Sequence, residues 1–276
     1  MPFVGFFGGI ALFFLPYFVD VAMDRRPWAN WLLILLTCVV SISLFPSVNR
    51  WDRRAVASGS LGVSNGRLVL SYHDSRPRLI DDFLLQPHHF KVVQLVGDLF
   101  LHEGWLHLLG NMLFLWLFGN AINAKLGHMR FLALYFAAGI FEGLVYLAFG
   151  PNMPCLGASG AIMGVMGAFL ILYPHNNVRL VYLFFLVPGF AEFSSFWLLI
   201  AYAVMNVWGM ISDSLGGIAY ISHVAGFALG AGVVAALVWR GLIRSNHNEE
   251  NIFQLTGMKP MTPRPPTPRR NLAAAR

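Results

Sequence analysis

Charge is what this sequence carries least of. Of its 276 residues only 12% are Asp, Glu, Lys or Arg, against roughly 25% in an ordinary soluble domain. A chain so poor in charge cannot wet the surface of a globule, which excludes a soluble single-core enzyme, a disordered chain and a coiled coil. Cysteine is scarce too. Cys38 lies inside an apolar run and Cys155 in a connection containing Gly and Pro, so no disulfide scaffold organises the fold and no redox compartment follows. Also missing are the short alternating segments of a membrane β-barrel and the internal repeat of a transporter.

What is present is apolar. Residues AVILMFWYC make up 57% before the 27 glycines are counted, and mean hydropathy is +0.62. A membrane helix needs about 20 mostly apolar residues, and runs of that kind cover 28–45, 105–122, 131–149, 158–173, 193–211 and 218–237. A further run over 3–19 has neither a basic leader nor a small-residue cleavage site, so it is expected to be an uncleaved extra helix rather than a signal peptide. The fold expected is an all-α membrane protein. Its parts are an N-terminal hydrophobic segment (1–26), a membrane domain (27–244) with a long outer loop (46–104), and a tail (245–276).

The few charges mark the connections. Between Arg130 and Arg240 the formally charged residues are Glu142, Arg179, Glu192 and Asp213, and Glu142 alone falls in the middle of a span. Arg25, Arg26, Lys125, Arg130, Arg179, Arg240 and Arg244 collect with the tail on one side. By the positive-inside rule that side, with the C-terminus, is cytoplasmic. The loop 46–104 is itself basic, but loops of that length report orientation weakly. The tail carries five basic and no acidic residues from Lys259 onward. It is expected to be disordered and attracted to anionic lipid. The net charge of +6 is dispersed rather than gathered on one face, so nucleic acid is not an expected partner and the lipid bilayer is.

Polar side chains inside spans are costly and therefore suspect. His107 and Asn111 lie four apart on one helical face, with His102 just before them. Ser159 stands in Gly157-Ala158-Ser159-Gly160, where the irregular stretch 150–156 runs into a helix. A helix N-terminus leaves backbone N–H groups free to receive an oxyanion. His223 heads a helix whose Gly226 and Gly230 follow at three and seven residues, while Gly160, Gly164 and Ala168 recur every four on the serine's helix. Small residues at that spacing let two membrane helices pack backbone to backbone. Such a seam would bring Ser159 and His223 within hydrogen-bond reach, a nucleophile–base pair. Singly, each feature has a plainer reading: a packing seam, a histidine bonded to a carbonyl, or His102 with His107 on a metal. No carboxylate or cysteine has the spacing to complete a metal site, so neither metal nor cofactor is expected.

Taken jointly, Leu101-His102 through His107, Asn111 and Gly119, then Gly157-Ala158-Ser159-Gly160, then His223 with Gly226 and Gly230, resemble the three signatures of rhomboid intramembrane serine proteases over about 92–242. The resemblance implies a six-helix rhomboid-like bundle that cleaves transmembrane substrates near the outer face with a serine–histidine dyad. It implies Ser159 as nucleophile, His223 as general base, and His107, Asn111 and the Ser159 N–H as oxyanion donors. His102, Gly157, Gly160, Gly226 and Gly230 support them. The expected setting is a bacterial cytoplasmic membrane. The sequence departs from the family pattern in three places. Gly97-Asp98 lies where a Trp-Arg pair is usual. Met163 occupies the position of an aromatic, and Asn123 that of an acid. The rival readings are a rhomboid-like protein that binds membrane clients without cutting them and a small transporter.

Overall fold

In a bilayer a backbone can satisfy its polar groups only internally, so long apolar runs fold as helices. The computed structural model describes residues 3–7, 10–57, 61–64, 67–70, 79–184, 187–212, 219–243 and 250–258. Helix α1 (Trp28–Ala57) is followed, after a small hairpin and the single turn α2 (Gln94–Gly97), by α3 (Trp105–Phe114). A π turn (Leu115–Gly119) joins α3 to α4 (Asn120–Leu126), and α5 covers His128–Phe149. Next come α6 (Ser159–Leu172), α7 (Ser195–Ile211), α8 (Tyr220–Trp239) and the short α9 (Ile252–Leu255). Among the described residues four helical stretches are long and apolar enough to cross a membrane: Trp28–Val48, Trp105–Leu126, His128–Phe149 and Tyr220–Trp239. Helices α6 and α7 are apolar but shorter. The chain is thus a mostly helical, multi-pass membrane protein.

The expected N-terminal helix is a correction. Residues Phe3–Phe7 and Ile10–Val19 are strands β1 and β2. Gly5 and Pro16 weaken a helix there, and Phe- and Val-rich runs suit a pleated surface. Strand β2 finds its partner in what reads from sequence as a plain connection, 174–192. That stretch holds most of a hairpin, β5 (Asn177–Phe184) and β6 (Val187–Ser194), after the outer hairpin β3 (Leu61–Ser64) and β4 (Arg67–Leu70). The antiparallel order is β1-β2-β5-β6. Proline has no N–H for a ladder, and Pro16 falls where the β2/β5 register shifts. The sheet lies at the C-terminal end of α6, opposite Ser159, and β6 runs directly into α7.

Two more expectations meet the structure. The tail is not wholly without structure: Asn251 and Gln254 form a reciprocal capping box on α9, and Phe253 packs on Trp239 at 5.4 Å between ring centroids. The basic run beyond 258 and the connection containing Asp213 lie outside the described residues.

The core centres on α6, where every residue from Gly160 to Leu170 is buried. On the α1 side the π turn leaves the Leu115 carbonyl free of the regular ladder, and Asn30 fills it. The Asn30 amide donates to Leu115 O at 2.9 Å and to Asn120 Oδ1 at 2.8 Å. Asn123, at the position where the family usually has an acid, accepts from the Asn30 backbone N–H at 3.1 Å. Three amides thus bond that end together without a formal charge, although Asn30 Oδ1 is buried with no partner among the described residues.

Candidate active site

The site forms where α6 and α8 touch through glycines. A Cβ on Gly226 would lie 2.0 Å from Gly160 O, and one on Gly230 1.8 Å from Gly164 O. Nothing larger than hydrogen fits, so the backbones meet directly. Ser159 opens α6 and His223 lies in the first turn of α8, and the seam sets them side by side. Ser159 Oγ is 2.7 Å from His223 Nε2.

The stretch before Ser159 is held by backbone bonds. Leu85 and Cys155 exchange N–H···O bonds of 3.2 and 2.9 Å, and Gly157 N–H donates to Asp98 O at 3.0 Å. Gly157 has φ +122°, a conformation open to glycine alone at little cost. Its missing side chain makes room for His107, whose Nε2 would be 2.9 Å from a Cβ there. His107 therefore lies over the loop that delivers the serine. The first turn of α6 has no side-chain cap, so its leading N–H groups have no intrahelical acceptor.

Asn111 is held from behind. Its Nδ2 is 2.8 Å from His102 Nε2, and His102 Nδ1 is 2.8 Å from Ser41 Oγ. The Ser41 hydroxyl donates to the Phe100 carbonyl at 2.8 Å. It must therefore accept from His102 Nδ1–H, which leaves His102 Nε2 to accept from Asn111. His102 is fully buried and sits outside the spans. Burial, then the neighbouring His107, lower its pKa from 6.5 to about 3, so it stays neutral in this chain. A cavity lined by Asn111, Ser159, Met163, Tyr202 and His223 opens beside the pair. Below it lies an apolar cavity of about 440 Å³ between α3, α6, α7 and the sheet.

The nine residues singled out in the sequence converge here. Gly160 has a second neighbour, since a Cβ on it would lie 2.5 Å from Glu142 Cδ. The mid-span carboxyl is thus packed against the first turn of α6. Among the described residues no group of three His, Cys, Asp or Glu is placed to hold a metal ion. Two contributors escaped the sequence reading. Ser41, a small polar residue in the first span, carries no motif. Asn206, whose Oδ1 lies 2.8 Å from His223 Nδ1, is an amide inside the apolar run 193–211 and would have been visible as a costly polar residue at depth.

The family model described as the rhomboid domain matches residues 89–240. Rhomboid protein 1, mitochondrial, from Saccharomyces cerevisiae is 33% identical over 147 residues, covering 50% of this chain and 40% of that protein. Rhomboid protease GluP from Bacillus subtilis is 42% identical over 84 residues, 30% of this chain and 16% of its own length. The human presenilin-associated rhomboid-like protein, mitochondrial, is 36% identical over 88 residues, 30% and 23% respectively. The chain therefore spans less than half the length of these relatives. Two of the three are named mitochondrial, which does not fit the expected bacterial membrane. With the match over more than half of its residues, the chain belongs to the rhomboid family.

Proposed function

We propose that the protein is a serine endopeptidase that cuts transmembrane segments near the outer membrane face. Ser159 acts as nucleophile and His223 as general base. His107, Asn111 and the Ser159 N–H receive the oxyanion. The observation that carries this reading is the 2.7 Å contact between Ser159 Oγ and His223 Nε2 at a helix N-terminus with open N–H groups. His223 takes the Ser159 proton as Oγ attacks a peptide carbonyl, and the carbonyl oxygen becomes negative among donors already in place. His223 then protonates the leaving amine, and water releases the acyl group. A helical peptide bond is shielded by its own hydrogen bonds, so the substrate must unwind locally. Helix-destabilising residues near the cut and a small residue before it are the expected signature. The basic residues collected on one side support a C-terminus on the cytoplasmic face.

The test is incubation of the purified protein with a model transmembrane substrate. Wild type should cleave, and should be labelled at Ser159 by a fluorophosphonate. Ser159→Ala and His223→Ala should each abolish cleavage while the protein stays folded. Full activity in either variant would refute the dyad, and a folded, unlabelled, inactive wild type would favour a client-binding protein.

A further inference from the structure

The contact between α7 and α8 settles where the imidazole proton of His223 resides. Asn206 and His223 are both buried, at 5% and 2% exposure. Asn206 Nδ2 donates to the Tyr202 carbonyl, one turn back on α7, at 2.8 Å. A carbonyl only accepts, so this bond orients the amide with Oδ1 towards His223. Oδ1, 2.8 Å from His223 Nδ1, also only accepts, so Nδ1 carries the hydrogen. A neutral imidazole has one such hydrogen. Nε2 is therefore bare and accepts the Ser159 hydroxyl at 2.7 Å.

We propose that Asn206 is a positioning residue that holds His223 in the Nδ1–H tautomer with Nε2 aimed at Ser159. The catalytic part of this inference rests on the dyad proposed above. In the other tautomer Nε2 would carry the hydrogen and could not take the serine proton. Once His223 is protonated, its Nδ1–H keeps the same acceptor, so the ring need not turn during the reaction. An amide suits this depth better than a carboxylate. It offers the same acceptor geometry without a second charge to bury.

The experiment uses full-length protein with ring-¹⁵N histidine, the His223 signals being assigned by their loss in His223→Ala. Wild type and Ser159→Ala should both show Nδ1 protonated and Nε2 bare, and Asn206→Leu should show a mixture of tautomers. Cleavage by Asn206→Leu should fall on the order of 10- to 100-fold in kcat, as expected for a lost hydrogen bond to a charged ring, with KM little changed. Asn206→Asp should retain most of kcat and move the acid limb of the pH–rate profile to higher pH, because a carboxylate favours the protonated ring. A purely structural role would lower stability in both variants and leave that limb in place. Hydrogen on Nε2 in wild type, or an unaltered spectrum and kcat in Asn206→Leu, would overturn the proposal. Should Asn206→Leu not fold, the wild-type spectrum and Asn206→Asp decide. A wild type that does not cleave refutes the protease reading, and the spectrum still judges the tautomer.

Discussion

The glycine seam makes a quantitative demand on Gly226. Adding one methyl group there puts a Cβ 2.0 Å from Gly160 O. Ordinary contact begins at 3.4 Å, so α6 and α8 must part by about 1.4 Å at that point. The opposing atom is backbone, so no rotamer change can absorb the strain. Overpacking a well-packed site costs typically 1–3 kcal/mol, and the upper end applies here. Gly226 follows His223 by three residues, about 4.5 Å along the axis, so most of the parting reaches the dyad. The 2.7 Å bond would open to roughly 4 Å, beyond hydrogen-bond reach. A misplacement near 1 Å can cost about 100-fold in rate. Gly232 serves as the control, because nothing lies within 4 Å of a Cβ there. Thermal unfolding in detergent and cleavage of a model substrate should show Gly226→Ala lowered in both and Gly232→Ala close to wild type. Equal behaviour of the two variants would refute direct backbone packing as the device that aligns the dyad.

Three further outcomes follow from the same geometry. Ser41→Ala removes the acceptor for His102 Nδ1–H, and an unpaired buried donor costs about 1–3 kcal/mol. With Asn111 less firmly held, kcat should fall about tenfold, read from unfolding and cleavage side by side. Gly160→Ala should destabilise the protein by pressing on Glu142. Glu142→Ala should relieve part of that loss, so the double-mutant cycle should be non-additive, and strict additivity would deny the contact. His102 favours its neutral form in the folded state, at about 3 against 6.5 unfolded. Its contribution to stability is therefore complete above pH 6.5 and is lost as pH falls towards 3. Denaturation midpoints across that window should flatten in His102→Asn.

The membrane class, the six apolar runs and the nine residues that converge at the candidate site were legible in the sequence. Each follows from a local rule: apolar length, the expense of a polar group at depth, and small residues spaced by four. The sheet was not legible. The run 3–19 is as apolar as a span, and only the pairing of Ile10–Val19 with β5, some 160 residues away, decides that this part extends rather than coils. The same holds for α9, where a capping box and Phe253 on Trp239 impose order on a polar tail. The sequence by itself singled out the side chains proposed here to carry the chemistry, because hydrocarbon makes a retained polar group costly and therefore suspect. Tertiary structure alone decided how those groups are held. Ser41, Glu142 and Asn206 act across helix contacts, and no spacing along the chain records which face of one helix meets which face of another.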